Sequence, residues 1–139
     1  MTADQSEPLA PPRGRILIAD YETGTTTPLK YLMEQSGYDV RTVGSGEEAL
    51  QVAAAFKPDL VLLEGMISNP DGFETCQALR NQPETAAVRI LFVSAMTRDI
   101  DIARGLAAGA DGYITKPFSN SDIMDHVRKL LEISDGSDQ

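Results

Sequence analysis

The first candidate for chemistry is an acid at residue 64. The run Pro58-Asp59-Leu60-Val61-Leu62-Leu63-Glu64 sets four successive apolar residues between a Pro-Asp opener and a glutamate. Such a run reads as a strand buried on both faces, which implies a parallel sheet with helices on each side. Glu64 then emerges at the strand's carboxyl end, the edge where open α/β sheets hold ligands. Behind it, Gly65 to Gly72 contains the Pro, Asn, Asp and Gly residues of a turn. A second apolar run, Ile16-Leu17-Ile18-Ala19, ends in Asp20-Tyr21-Glu22 and delivers two more acids to the same edge. The following Thr23-Gly24-Thr25-Thr26-Thr27 suits an anion, because hydroxyls at a helix N-terminus can hold a phosphate.

Periodicity supplies the elements that must position these groups. Ile16 to Ala19 is the first strand. The helix after it is predicted from about Thr27 to about Ser36, with Pro28 in its first turn and Leu29, Leu32 and Met33 on its core face. Gly37 ends it as a left-handed cap. Tyr38 to Val43 forms the second strand. Ser45-Gly46-Glu47-Glu48 is a capping box, and Ala49, Leu50, Val52, Ala53 and Phe56 recur at helical spacing before Pro58. After the third strand come a helix over Phe73 to Arg80, a fourth strand over Arg89 to Ser94, a helix from about Arg98 to Ala107, and a short fifth strand, Gly112 to Thr115. Lys116-Pro117-Phe118 turns the chain. Ser119 then caps a last helix whose core face is Ile123, Val127, Leu130 and Leu131. Five strands alternating with five helices predict an α/β fold: a flavodoxin-like, doubly wound (βα)5 three-layer sandwich with parallel sheet order 2-1-3-4-5.

At 139 residues the chain suits one domain that buries roughly two-thirds of its unfolded surface. Residues 1–13 are polar and proline-rich and are expected to be a disordered leader, 14–133 the folded domain, and 134–139 a disordered tail. No apolar run approaches a membrane span and the first residues lack a signal peptide's apolar centre, so a cytoplasmic location is expected. The lone Cys76 fits a reducing compartment. A formal charge of -9, with twelve scattered basic residues, argues against direct contact with nucleic acid, which needs clustered Lys and Arg.

Four segments, in order and spread over about Arg15 to Leu131, carry a resemblance. "RILIADYE", "PDLVLLEGMISNPDG", "FVSA" and "GADGYITKPF" resemble the first strand with its acidic pair, the phosphoacceptor segment, the switch strand and the lysine segment of a receiver domain from two-component response regulators. In that family an aspartate at the phosphoacceptor position takes phosphate from a histidine kinase, and the acidic pair helps it hold Mg²⁺. Here Glu64 occupies the acceptor position, so the resemblance implies an atypical receiver, or pseudo-receiver. Asp20 keeps the first acid, while Tyr21 removes the second. Glu64 also carries its carboxylate about 1.5 Å further out, a large error for a metal site. No catalytic residue and no cofactor is therefore expected, with Asp20, Glu22 and Glu64 left as weak candidates for Mg²⁺. The resemblance further implies that Lys116 pairs with residue 64 across a cis Lys116-Pro117 bond. It makes Ser94 the switch hydroxyl and Tyr113 the switch aromatic.

The function expected is not enzymatic. It is signal transduction by protein contact from a stand-alone receiver-like domain, without ordinary aspartyl phosphorylation and with Glu64 imitating part of a phosphoryl group. The contact face would be the fourth helix, fifth strand and fifth helix, and the partner a histidine kinase or another signalling protein. A homodimer stays open, although Gly112 and His126 replace charged dimer contacts of one large subfamily. Two alternatives stand beside this reading: phosphorylation of Glu64 itself, and a small FMN protein using the threonine-rich loop. Ser68 replaces the usual proline of the acceptor loop, Asn69-Pro70 moves the rigid residue onward, and of Met66 and Ile67 one is expected to pack inward.

Overall fold

Each apolar run becomes a strand of one parallel sheet. The computed structural model describes residues 13–135 and contains β1 (Arg15–Ala19), β2 (Asp39–Val43), β3 (Leu60–Leu63), β4 (Arg89–Ser94) and β5 (Gly112–Thr115). The helices are α1 (Thr23–Gln35), α2 (Gly46–Phe56), α3 (Gly72–Asn81), α4 (Asp99–Ala107) and α5 (Asn120–Asp135). The sheet order is β2-β1-β3-β4-β5, as expected for the doubly wound flavodoxin-like fold.

Alternation along the strands divides the core in two. Ile16, Ile18, Leu60, Leu62, Leu91 and Val93 face α1 and α5, packing on Leu29, Met33, Ile123 and Val127. Leu17, Ala19, Val61, Leu63, Ile90 and Phe92 face the other side and meet Ala49 and Ala53 of α2 and Phe73, Cys76 and Leu79 of α3. Because both faces are covered, β3 is buried at all four residues. Each such aliphatic side chain contributes about 1.5–3 kcal/mol by leaving water.

Helix ends mostly follow the sequence. The Ser45 hydroxyl accepts the Glu48 N–H at 3.1 Å, and the Glu48 carboxylate bonds back to the Gly44 N–H at 2.9 Å. Gly37 has φ 96°, as a left-handed cap requires. The first helix is the exception. It begins at Thr23, four residues before the expected Thr27, and Pro28 lies in its interior. The Asp20 carboxylate accepts the Glu22 N–H at 2.9 Å and fixes the entry of the chain, overriding the poor helix propensity of Thr and Gly.

The leader and tail expected at 1–13 and 134–139 fall almost wholly outside the described residues. Arg13 does not belong with a loose leader: its N–H bonds Gly37 O at 2.9 Å, and its guanidinium lies 5.2 Å from the Tyr38 ring centre. α5 runs to Asp135, two residues past the expected domain end. Among the described residues no helix is long and apolar enough to cross a membrane.

Candidate functional site

Parallel pairing brings the carboxyl ends of β1, β3 and β4 side by side, with Ala19 opposite Leu63 and Leu63 opposite Phe92. Asp20 and Glu64 come next on their strands, Ser94 lies two residues beyond Phe92 at the end of β4, and the three share one pocket. All three are buried, Glu64 to 1% exposure. Lys116 enters from the end of β5 across a cis bond to Pro117, as the resemblance implied.

The Glu64 carboxylate is engaged on both oxygens. Its Oε1 accepts from the Lys116 ammonium at 3.0 Å and from the Ala95 N–H at 3.2 Å. Its Oε2 accepts the Ser94 hydroxyl and, at 3.0 Å, the Met66 N–H. A carboxylate offers about four lone-pair sites, so these four donors saturate it. Burial pushes the Glu64 pKa upward, but the bonds from Ser94, Met66 and Lys116 outweigh it and hold the group below its ordinary value. Burial likewise opposes the charge on Lys116, and bonds to Asp20 and Glu64 outweigh it, raising that pKa.

Lys116 was expected to pair with Glu64, and it does. Its shorter contact is with Asp20, at 2.8 Å, and Glu22 lies at 3.6 Å. One ammonium thus faces three carboxylates. Tyr21 has no part in this arrangement, being 54% exposed.

A second set of contacts leads away from the pocket. Ser94 Oγ, while donating to Glu64, accepts the Met96 N–H at 3.1 Å. The Met96 carbonyl accepts the Tyr113 hydroxyl at 2.7 Å. The Tyr113 ring stacks on Phe92 with centroids 5.4 Å apart, and Phe92 stacks in turn on Phe73 at 5.3 Å. Gly105 of α4 makes room for that ring: a Cβ there would stand 2.9 Å from Tyr113 Cδ2. Ser94 and Tyr113, singled out in sequence, are thus linked through the backbone of Met96, which sequence reasoning could not single out.

The acceptor loop also has a definite shape. Asn69-Pro70 is cis and Asn69 has φ 60°. The Ser68 and Asn69 carbonyls accept the Gly46 and Glu47 N–H groups at 2.9 and 2.6 Å, capping amides that the first turn of α2 leaves free. Gly46 permits the approach, since a Cβ there would meet Pro70 O at 2.3 Å. Ile67 packs inward at 1% exposure and Met66 outward at 53%.

Two ligands can be tested against these residues. For FMN, the threonine-rich stretch fails as a phosphate loop. Thr23 to Thr27 are helical, the Thr25 and Thr26 N–H groups both bond Glu22 O at 3.0 Å, and the Thr25 hydroxyl bonds the Glu22 carboxylate at 3.2 Å, which would repel an anion. For Mg²⁺, the donor set does not fit. Octahedral Mg²⁺ wants oxygens at about 2.0–2.1 Å, whereas the Lys116 ammonium sits where the Asp20 and Glu64 carboxylates converge. Among the described residues no group of three His, Cys, Asp or Glu side chains is disposed to hold a metal.

Comparison with known proteins agrees with this fold. Residues 16–128 match the model of the response regulator receiver domain. The chain is 42% identical over 121 residues to the alkaline phosphatase synthesis transcriptional regulatory protein PhoP of Bacillus subtilis, covering 87% of this chain and 50% of that protein. It is 35% identical over 117 residues to the phosphate regulon transcriptional regulatory protein PhoB of Rhizobium meliloti, covering 84% and 52%. The chain thus spans about half the length of these curated relatives. Among solved structures, a putative response regulator from Chloroflexus aurantiacus superposes with a TM-score of 0.82 at 30% identity, over 86% of this chain and 98% of that one. A receiver domain of a signal transduction histidine kinase from Syntrophus aciditrophicus gives 0.82 at 28% identity, over 91% and 96%. With the family model spanning residues 16–128, this chain belongs to the response regulator receiver domains of two-component signalling.

Proposed function

We propose that this chain is a receiver held in its switched arrangement by Glu64, which signals by protein contact and does not take phosphate in the ordinary way. The observation that carries this reading is the saturation of the Glu64 carboxylate by Lys116, Ser94, and the Ala95 and Met66 amides. A phosphoryl group on an acceptor aspartate would need hydrogen-bond donors for its oxygens. Here the added methylene carries the Glu64 oxygens out to such donors, so the longer side chain does the work that addition of phosphate would do. The imitation is partial in charge: a phosphoryl group carries about -1.5 to -2 and three oxygens, against one charge and two oxygens on glutamate.

Ser94 bonded to residue 64 and Tyr113 turned in toward Met96 support the same reading, as both switch residues are engaged at once. The face they shape consists of α4, β5 and α5. Ile100 and Leu106 of α4 are 60% and 48% exposed and offer apolar area to a partner protein, the kind of surface that marks interaction sites. We take that partner to be a histidine kinase or another signalling protein, a second copy of this chain included, and the setting to be the cytoplasm. The curated relatives are named as transcriptional regulators, but the matched part is half of each, and the acidic charge of this chain favours a protein surface over DNA.

Incubation with acetyl phosphate and Mg²⁺ followed by intact mass measurement tests the proposal. The expected mass is unchanged. A stoichiometric phosphate adduct mapped to Glu64 would overturn it.

A further inference from the structure

We propose that Arg104 is a positioning residue for the α4 contact face: its guanidinium, laid on the Phe73 ring, seats α4 on an aromatic stack whose far end rests against the backbone beside Glu64. The inference deepens the reading above and rests on it for the role of α4 as a surface that a partner meets.

α4 is anchored unlike its neighbours. α1, α2, α3 and α5 bury Leu29, Phe56, Leu79 and Ile123, whereas the buried residues of α4 are Asp101 and Gly105. Ile100 and Leu106 are exposed and Ile102 is half-buried. Asp101 is engaged by Arg98 at 3.1 Å, in the helix cap. What remains against the sheet is Gly105, where a Cβ would stand 2.9 Å from Tyr113 and 3.3 Å from Phe92. The missing side chain lets the helix backbone lie directly on the two rings and leaves nothing there to grip them. Glycine also weakens the helix that contains it. An element with so little buried apolar surface opens at lower free energy than the rest of a domain.

Arg104 supplies the grip. Its guanidinium carbon lies 4.0 Å from the centre of the Phe73 ring, well within the range at which a ring face attracts a cation. Asp101, three residues earlier and in reach on the helix surface, pairs with Arg98 instead. Phe73 is a firm base. It is 5% exposed and stacks on Phe92, which stacks on Tyr113. α4 therefore bears on both ends of one stack, through Arg104 on Phe73 and through Gly105 on Tyr113. The same Phe73 meets the acceptor loop. A Cβ on Gly65 would stand 3.4 Å from Phe73 Cζ, and the Gly72 N–H bonds Gly65 O at 3.0 Å. The backbone beside Glu64 and the seat of α4 thus lean on one ring, by a route separate from Ser94 and Met96.

The test uses the full chain, followed by nuclear magnetic resonance and amide exchange. In wild type the Arg104 Hδ and Hε resonances should lie upfield of their random-coil positions, shifted by the Phe73 ring current. Arg104→Met keeps the apolar stem and removes the charge. It should quicken exchange of the α4 amides about two- to fivefold relative to those of α5, the equilibrium weight of a cation lying on an aromatic face at an exposed site. Arg104→Lys should restore part of the protection. In a Phe73→Leu background, Arg104→Met should add nothing, as a double-mutant cycle requires of residues that act through each other. Unchanged exchange in Arg104→Met overturns the inference, as does an equal effect with and without the Phe73 ring. Should Phe73→Leu fail to fold, the wild-type ring-current shift decides, its presence supporting the inference and its absence overturning it. Glu64→Gln should move the Phe73 ring resonances, and unmoved resonances overturn the link to the pocket. The phosphate test remains separate. An adduct on Glu64 removes the previous reading and leaves Arg104 seated on its ring, and an inert Arg104→Met without an adduct does the reverse.

Discussion

Two ionic clusters sit at opposite ends of the same sheet and are built on different plans. At the amino edge, Arg80 bonds Gly109 O at 2.9 Å, Ala86 O at 3.2 Å and Val88 O, and pairs with Asp111 at 2.9 Å. Asp111 also accepts the Ile90 N–H at 2.8 Å and lies 3.4 Å from Arg89. Here charge is spent mostly on backbone, so the cluster fastens the end of α3 to the loops before β4 and β5. At the carboxyl edge, Lys116 and three carboxylates engage mostly one another, and the backbone amides they bond are those of Glu22, Met66 and Ala95. The first plan makes a staple, and the second gathers charged side chains around a buried carboxylate. The difference teaches that ionic content alone does not mark a functional site; the identity of the partners does.

Three experiments would break or sharpen that contrast. The largest effect is expected from Arg80→Ala, which takes a donor from three carbonyls and the nearer cation from Asp111 at once. Urea unfolding should show a loss of about 2–3 kcal/mol, after discounting for the partial exposure of the pair, with the Tyr113 ring resonances in place. Displacement of Tyr113 in this variant would show that the two ends are coupled and that the contrast is wrong.

Glu64→Gln is expected to cost about 1–2 kcal/mol, because whichever way the amide is turned its NH₂ meets donors. One side of the group faces Lys116 and Ala95, the other Ser94 and Met66. Unlike Arg80→Ala, it should move the Tyr113 resonances. Acid should do the same to wild type, and the sign follows from the shifts. The Glu64 pKa is lowered on folding, so its contribution is complete above the unfolded value of about 4.3 and is lost as pH falls through the folded one. The Lys116 pKa is raised, so its contribution is complete below about 10.4 and is lost as pH rises through the folded value. Between those limits these two groups should leave stability flat. A slope near pH 7 that Glu64→Gln abolishes would contradict the assignment.

The smallest effect on stability is expected from Gly105→Ala, about 1 kcal/mol, since overpacking against Tyr113 is partly offset by the better helix propensity of alanine. Its value lies in the readout. The variant should turn Tyr113 outward while the Ser94 to Glu64 bond persists, separating the pocket from the face it controls. An unmoved Tyr113 would show that the ring has room without the glycine.

Legibility in the sequence followed the same divide. β4 was placed to the residue because Ile90 to Val93 is an unbroken apolar run that ends in polar residues on both sides. α1 was misplaced at its start because nothing in Thr23-Gly24-Thr25 favours a helix until the Asp20 carboxylate fixes the turn before it. Glu64 was recognisable as an acid at the carboxyl end of a buried run, and Ser94, Tyr113 and Lys116 through the family resemblance of the segments that carry them. The Ala95 and Met66 amides were not, since every residue but proline has one. Arg80 left no signal either: a lone arginine at the end of a helix resembles any solvated charge, and its partners are carbonyls.

The saturated carboxylate at the end of β3 has a consequence beyond the pocket. A switch whose setting is written into its own side chain has no off position for a kinase or phosphatase to reach. If residue 64 is the standing surrogate proposed above, the quantity left for a cell to adjust is how many copies exist and how long each survives, so transcription and proteolysis become the places to look for its regulation.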